Sequence, residues 1–125
     1  MGVGMPATLA LDRFGYVISS IFGEIPYHVG SSMGGKEAAN WRDVDVRLIL
    51  SDERYAAMGF GDPAYPHNSE RWCIIAEYLS NLGRDMTGLP IDFQIQQQTH
   101  ANATESGPRS ALGCSYQLRG DSRNK

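Results

Sequence analysis

Two apolar stretches with strand-like alternation set the strongest limit on how this chain folds. One runs from Val44 to Leu50 (VDVRLIL) and the other from Leu89 to Gln96 (LPIDFQIQ). In the second stretch Ile91, Phe93 and Ile95 alternate strictly with polar residues. Successive side chains of a strand point to opposite faces, so each stretch predicts a strand with a buried face.

Helical spacing of apolar residues accounts for much of the remaining chain. It predicts an amphipathic helix from Pro6 to Gly23 and a second from Ser69 to Leu82, which Gly83 would end. A short strand from Ile25 to Val29 and a short helix over 51–57, capped by its first serine, complete the pattern. This order favours an α+β domain, a small mixed β-sheet with helices packed on one face.

The chain of 125 residues has the length of one domain, so we expect a single domain over 1–125. Its polar, Gly- and Pro-containing end predicts an irregular or mobile segment over 100–125. A hydrophobic content of 42% is typical of globular proteins and excludes overall disorder. The formal charge of −3 makes long nucleic acid an unfavourable partner.

The cysteines and the apolar runs limit the function further. Cys73 and Cys114 stand far apart with no Cys or His at zinc spacing, which argues against a zinc site. Cys73 lies in an apolar helical pattern and is interpreted as a core residue. No basic, apolar leader and no run of ~20 apolar residues is visible, so a cytoplasmic protein is predicted.

Three carboxylates are predicted to meet on one surface of the sheet. Asp43 and Asp45 flank Val44, and residues i and i+2 of a strand share a face about 6.5–7 Å apart. Asp92 lies between two residues predicted to be buried, so it should point away from the core. Clustered carboxylates repel one another unless a cation joins them. Oxygen ligands without His or Cys favour Mg²⁺ or Mn²⁺.

A glycine-rich segment follows the first predicted strand. Backbone N–H groups at Gly30 and Ser31 could hold phosphate oxygens, and the serine hydroxyl adds a donor. Lys36, after Gly34 and Gly35, is a candidate charge partner for a triphosphate. The alternatives are a plain strand-to-helix turn and a solvated lysine.

These features together resemble the polymerase-β-type nucleotidyltransferase superfamily. Its pattern is a hydrophobic residue, Gly, then Gly or Ser, a spacer of about ten residues, and alternating acidic and hydrophobic residues. This chain has Val29-Gly30-Ser31 and then Asp43-Val44-Asp45-Val46. The family's third acidic residue, between hydrophobic residues on a later strand, matches Asp92. The likeness covers roughly residues 8 to 97, and the loop over 33–41 departs from it.

The resemblance implies the nucleotidyltransferase fold and transfer of a nucleoside monophosphate from an NTP such as ATP to a hydroxyl acceptor. On this reading Asp43 and Asp45 bridge two Mg²⁺ ions, while Asp92 holds the catalytic ion and assists deprotonation of the acceptor. Gly30 and Ser31 bind the β- and γ-phosphates. The acceptor, a small molecule, an RNA end or a protein side chain, stays open.

Other interpretations of the same residues remain. The carboxylates could be solvated side chains on half-buried strands. The chain could be a non-catalytic or partner-modifying module, as minimal members of the superfamily are beside a helical protein in toxin–antitoxin pairs; a homodimer is also compatible with its size. A sugar-nucleotide glycosyltransferase also uses an Asp-x-Asp motif, but its catalytic domain is usually larger. His28 is interpreted as a packing or strand-edge residue and Trp41 as a core residue, while Arg109 could contact a nucleotide or an acceptor.

Overall fold

A computed structural model describes residues 5–30, 43–104 and 107–113. The strands in these ranges are β1 (Tyr27–Val29), β2 (Val44–Leu50), β3 (Ile91–Gln97) and β4 (Arg109–Ala111). The helices are α1 (Met5–Phe22), α2 (Asp52–Ala57), α3 (Glu70–Thr87) and α4 (Gln98–Thr104), with a 3₁₀ turn at Pro66–Asn68. None of these helices has the length and apolar character needed to cross a membrane.

The strands form one mixed sheet in the order β3-β2-β1-β4. Strands β2 and β3 are parallel, and the chain between them passes through α2 and α3. Strand β1 is antiparallel to both of its neighbours, β2 and β4. The predicted α+β class with a small mixed sheet is therefore confirmed.

The hydrophobic core covers one face of this sheet, the core face. Alternate residues of β2 point into it and are fully buried, namely Val44, Val46, Leu48 and Leu50. Helix α1 contributes Leu11, Phe14 and Ile18 to the same cluster. Phe14 meets Phe93 of β3 edge to face, with ring centroids 6.2 Å apart. His28 points to this face opposite Val46 and is buried, as predicted for a packing residue.

Helix α3 is longer than its sequence pattern predicts. It begins after Ser69, whose hydroxyl accepts the Trp72 N–H, and ends at Gly88, which has a φ of 71°. The prediction that Gly83 ends the helix is wrong. Gly83 is buried inside it, and a Cβ there would come within 2.9 Å of Ile91 and 3.0 Å of Phe14. Glycine at this position lets the helix approach the sheet closely.

Side chains of α3 close the outer edge of β3. Trp72 Nε1 donates to the Ile95 carbonyl at 2.9 Å, and Arg84 Nε donates to the Ile91 carbonyl at 3.1 Å. Between them the buried Ser80 hydroxyl accepts the Phe93 N–H at 2.9 Å and donates to the Phe93 carbonyl at 3.4 Å. These contacts satisfy backbone groups of β3 that would otherwise be free to pair with a strand of another chain.

The prediction of an irregular segment over 100–125 is wrong for α4 and β4, while residues 114–125 lie outside the described ranges.

Two charged residues from other parts of the chain stabilise the ends of α4. The Asp52 carboxylate accepts the Thr99 N–H at 3.1 Å and the Thr99 hydroxyl at 2.5 Å, and Arg109 Nη2 donates to the Ala101 carbonyl at 3.4 Å. An acid at the first turn and a base near the last turn complement the helix dipole.

Helix α4 also departs from the prediction that all helices pack on one face. Arg109 pairs with Val29, which pairs with Asp45, so these three side chains point to the face opposite the core. Because Arg109 bonds to Ala101 and to the Asn102 side chain, α4 lies on that opposite side.

Candidate metal centre

The three predicted carboxylates meet on the sheet face opposite the core. Because β2 and β3 are parallel, the residues at their N-terminal ends lie side by side. The register pairs Asp45 directly with Asp92. Asp43 stands just before β2. One carboxylate oxygen from each of the three lies within 4.8 Å of the other two. We call these three residues the carboxylate cluster.

Exposure differs across the carboxylate cluster. Asp43 is exposed, whereas the side chains of Asp45 and Asp92 keep 26% and 36% of their surface accessible. The cluster is therefore open to solvent on the Asp43 side.

Gly30 lies against the carboxylate cluster. It follows β1, whose last residue, Val29, pairs with Asp45. Its φ is +86°, and a Cβ at this position would lie 2.5 Å from Asp45 Oδ2. Both the backbone conformation and the close approach require glycine here. The first residue of the predicted glycine motif is thus adjacent to the carboxylates.

The other half of the predicted phosphate site lies outside the described residues. Ser31 and Lys36 both fall in the range 31–42, as do the further glycines and Trp41. Their assignment to a triphosphate stays a prediction. Arg109, which the sequence analysis named as a possible contact for a nucleotide or an acceptor, is hydrogen-bonded to α4. Its Nη2 lies 3.2 Å from Asn102 Oδ1.

Arg47 joins the carboxylate cluster, a contact that the sequence analysis did not identify. Its Nη2 lies 3.5 Å from Asp45 Oδ1 and 3.3 Å from Asp92 Oδ2. Arg47 is 8% exposed, so its guanidinium is held inside the protein surface. The signal was present in the alternation of β2, because Asp43, Asp45 and Arg47 share one face at i, i+2 and i+4.

Backbone contacts fix the Arg47 guanidinium in this position. Nη1 donates to the Asp92 carbonyl at 2.7 Å and to the Val46 carbonyl at 3.2 Å. Its Nε is buried and has no hydrogen-bond partner among the described residues. A buried donor without a partner costs stability. The guanidinium is therefore fixed through Nη1 and Nη2, while its Nε gains no hydrogen bond from a described residue.

A groove with a volume of about 260 Å³ runs between α3 and the edge of β3 and reaches Asp92. Its walls include Trp72, Ser80 and Arg84, the residues that close the strand edge, together with Glu77 and Gln94. Gln94 Nε2 lies 3.5 Å from Asp92 Oδ2. The groove therefore borders the β3 side of the carboxylate cluster.

The donor set fits a hard divalent cation. Three carboxylates with oxygens within 4.8 Å of one another match the ligand preference of Mg²⁺ or Mn²⁺, and none of the three is a thiol or an imidazole.

No family model matches the chain, and neither a curated protein nor a solved structure matches it. The chemical reading of the site consequently depends on its geometry.

Proposed function

We propose that this protein is a cytoplasmic, Mg²⁺- or Mn²⁺-dependent nucleotidyltransferase with the fold of the polymerase-β-type superfamily. It transfers a nucleoside monophosphate from an NTP to a hydroxyl acceptor and releases pyrophosphate. The observation that carries the proposal is the convergence of Asp43, Asp45 and Asp92 from two parallel strands, within 4.8 Å of one another and next to Gly30.

Each residue has a role that its position supports. Asp43 and Asp45 hold divalent ions, and Asp92 contributes a third ligand and accepts the proton of the acceptor hydroxyl. Bound ions would neutralise the triphosphate and activate the attacking oxygen. Gly30, with its left-handed backbone and no Cβ, leaves room for the Asp45 carboxylate, and in this proposal its N–H binds a phosphate oxygen. Ser31 and Lys36 complete the phosphate contact in this proposal.

The transfer reaction gives a direct test. The protein is incubated with each of the four α-labelled NTPs, Mg²⁺ or Mn²⁺, and candidate acceptors, and both labelled product and pyrophosphate are measured. We expect transfer that Asp43→Asn abolishes and that Asp85→Asn, on the exposed surface of α3, leaves unchanged. Absence of transfer together with absence of metal-dependent NTP binding would reject the proposal.

The second candidate is a non-catalytic or partner-modifying module of toxin–antitoxin type. The pairing of Arg47 with two of the three carboxylates supports the non-catalytic form, because it joins these carboxylates without a metal ion. Mass spectrometry of a co-purified partner separates the two cases. An added nucleoside monophosphate on the partner indicates transfer, and an unmodified partner bound stoichiometrically indicates a binding module.

A further inference from the structure

We propose that Arg47 is the resident counter-ion of the carboxylate cluster, so that the cluster assembles without metal and binds a divalent cation more weakly than three carboxylates alone. The inference rests on the proposed metal site. Arg47 is a positioning residue in this account, because it holds Asp45 and Asp92 rather than touching a substrate.

The charges of the site support this role. Three carboxylates bring three negative charges into a small volume, and among the described residues of the site Arg47 adds one positive charge. Its Nη2 lies within 3.5 Å of Asp45 and 3.3 Å of Asp92, the same two carboxylates that the register brings side by side. The guanidinium therefore offsets, in the metal-free protein, the repulsion that a cation would otherwise have to offset.

Backbone contacts also anchor Arg47, and in this proposal the guanidinium stays in place when a cation binds. Its hydrogen bonds to the Val46 and Asp92 carbonyls are independent of the carboxylate side chains, and its side chain is 10% exposed. A divalent ion bound to the cluster would thus lie near a fixed positive charge. Repulsion between the two cations lowers the affinity for the ion, and the effect is strong because the guanidinium is desolvated.

A requirement for nucleotide follows from this weakened affinity. An NTP brings about four negative charges at neutral pH, which outweigh the single charge of Arg47. We infer that the divalent ion binds the cluster poorly by itself and binds well together with the triphosphate. Arg47 would thereby restrict metal loading to the moment of substrate binding.

The test compares the intact chain with Arg47→Met, a substitution that keeps most of the side-chain length and removes the charge. Mn²⁺ affinity is measured by calorimetry without nucleotide, and thermal unfolding is measured in EDTA and in Mn²⁺. We expect the wild type to bind Mn²⁺ weakly, with a melting temperature that EDTA leaves unchanged. Arg47→Met should bind Mn²⁺ at least tenfold more tightly, melt lower in EDTA and recover with Mn²⁺.

Two controls separate charge from geometry. Arg71→Met removes an exposed arginine that donates to the Met58 carbonyl away from the cluster, and it should not alter Mn²⁺ affinity. Arg47→Lys retains the positive charge without the planar fork, and its Mn²⁺ affinity should stay within about threefold of the wild type. An affinity for Arg47→Lys as high as that of Arg47→Met would overturn the electrostatic account.

The outcomes distinguish this inference from the proposed function. If neither wild type nor Arg47→Met binds Mn²⁺, with or without NTP, the metal site itself is rejected. If both bind Mn²⁺ with equal affinity, or the variant binds more weakly, the metal site stands and the role of Arg47 is rejected.

A double variant covers the case in which Arg47→Met does not fold. Arg47→Met with Asp92→Asn removes one charge of each sign, so the charge account predicts a protein that folds in EDTA. A double variant that also fails to fold would overturn the inference, because Arg47 would then be needed for packing and not for its charge.

Discussion

At the scale of single residues, the site depends on close contacts among groups that are separated along the chain. Gly30 directly follows β1, where a Cβ would lie 2.5 Å from Asp45 Oδ2, and Arg47 contacts Asp92 on the neighbouring strand β3. Each contact depends on a property of the residue that makes it. Gly30 brings no side chain toward the Asp45 carboxylate, and Arg47 brings a positive charge to Asp45 and Asp92.

Replacing Gly30 with alanine should disturb the carboxylate cluster beyond the ordinary cost of a left-handed residue. A left-handed backbone alone costs a non-glycine residue about 1–2 kcal/mol. At Gly30 a Cβ would also meet Asp45 Oδ2 at 2.5 Å. Urea unfolding should therefore show a larger loss of stability for Gly30→Ala than for Gly23→Ala. Gly23 also has a positive φ, 73°, but apart from its chain neighbours no described residue has a heavy atom within 4 Å of the position that its Cβ would take. Equal losses would show that the contact with Asp45 is unimportant.

The sequence predicted the residues of the carboxylate cluster because strand alternation fixes which side chains share a face. It also predicted that Gly30 lies near the site, since a glycine directly after a strand can be recognised from neighbouring residues alone. Arg47 was missed although the same alternation places it beside Asp45. Its importance comes from Asp92, which is 45 residues away and reaches it only after β2 and β3 pair.

At the scale of elements, the edge of β3 is the feature that most depends on tertiary structure. Three side chains of α3 provide hydrogen bonds to the outward backbone groups of β3, at Ile91, Phe93 and Ile95. This arrangement holds α3 and β3 in one register. Since Asp92 lies between two of these anchored residues, the same contacts fix the position of the third carboxylate.

Ser80→Ala should destabilise the protein by about 1–3 kcal/mol, because it leaves the buried Phe93 N–H without its side-chain acceptor. Chemical denaturation of the variant and of Ser20→Ala checks this. Ser20 is the matched control, since its hydroxyl donates to the Tyr16 carbonyl on an exposed part of α1. The control should lie within about 0.5 kcal/mol of the wild type. Similar stability of both variants would contradict the edge contact.

Element boundaries were predictable where the signal was local. The strand over Val44–Leu50 was predicted at both ends, and Ser51 caps α2 as expected, with its hydroxyl accepting the Arg54 N–H. The predicted end of α3 was wrong because Gly83 lies inside the helix, where it allows close packing against Ile91 and Phe14. Helix α4 was missed because its capping groups, Asp52 and Arg109, come from other elements.

At the scale of the whole molecule, the stability of the fold should depend on pH through His28. Burial lowers the pKa of His28 below its usual value of 6.5. Below about pH 6.5 the unfolded chain therefore binds a proton that the folded chain takes up only at lower pH. The free energy of unfolding should consequently decrease as the pH falls from about 6.5, until the folded-state pKa is passed.

Unfolding midpoints measured between pH 7.5 and 5 check this dependence. We expect His28→Gln to reduce the loss of stability over this range and His67→Gln, at an exposed position, to leave it in place. A wild-type midpoint that stays constant, or an unchanged slope in His28→Gln, would contradict the assignment to His28.

The central claim is that the carboxylate cluster binds a divalent ion together with a nucleoside triphosphate. Calorimetric titration of a non-hydrolysable NTP analogue, with Mg²⁺ or with EDTA, tests it most directly in the wild type, Asp45→Asn and the surface control Asp85→Asn. The account predicts Mg²⁺-dependent binding that Asp45→Asn weakens at least tenfold and Asp85→Asn retains. Binding that is independent of Mg²⁺, or equal in all three proteins, would contradict it.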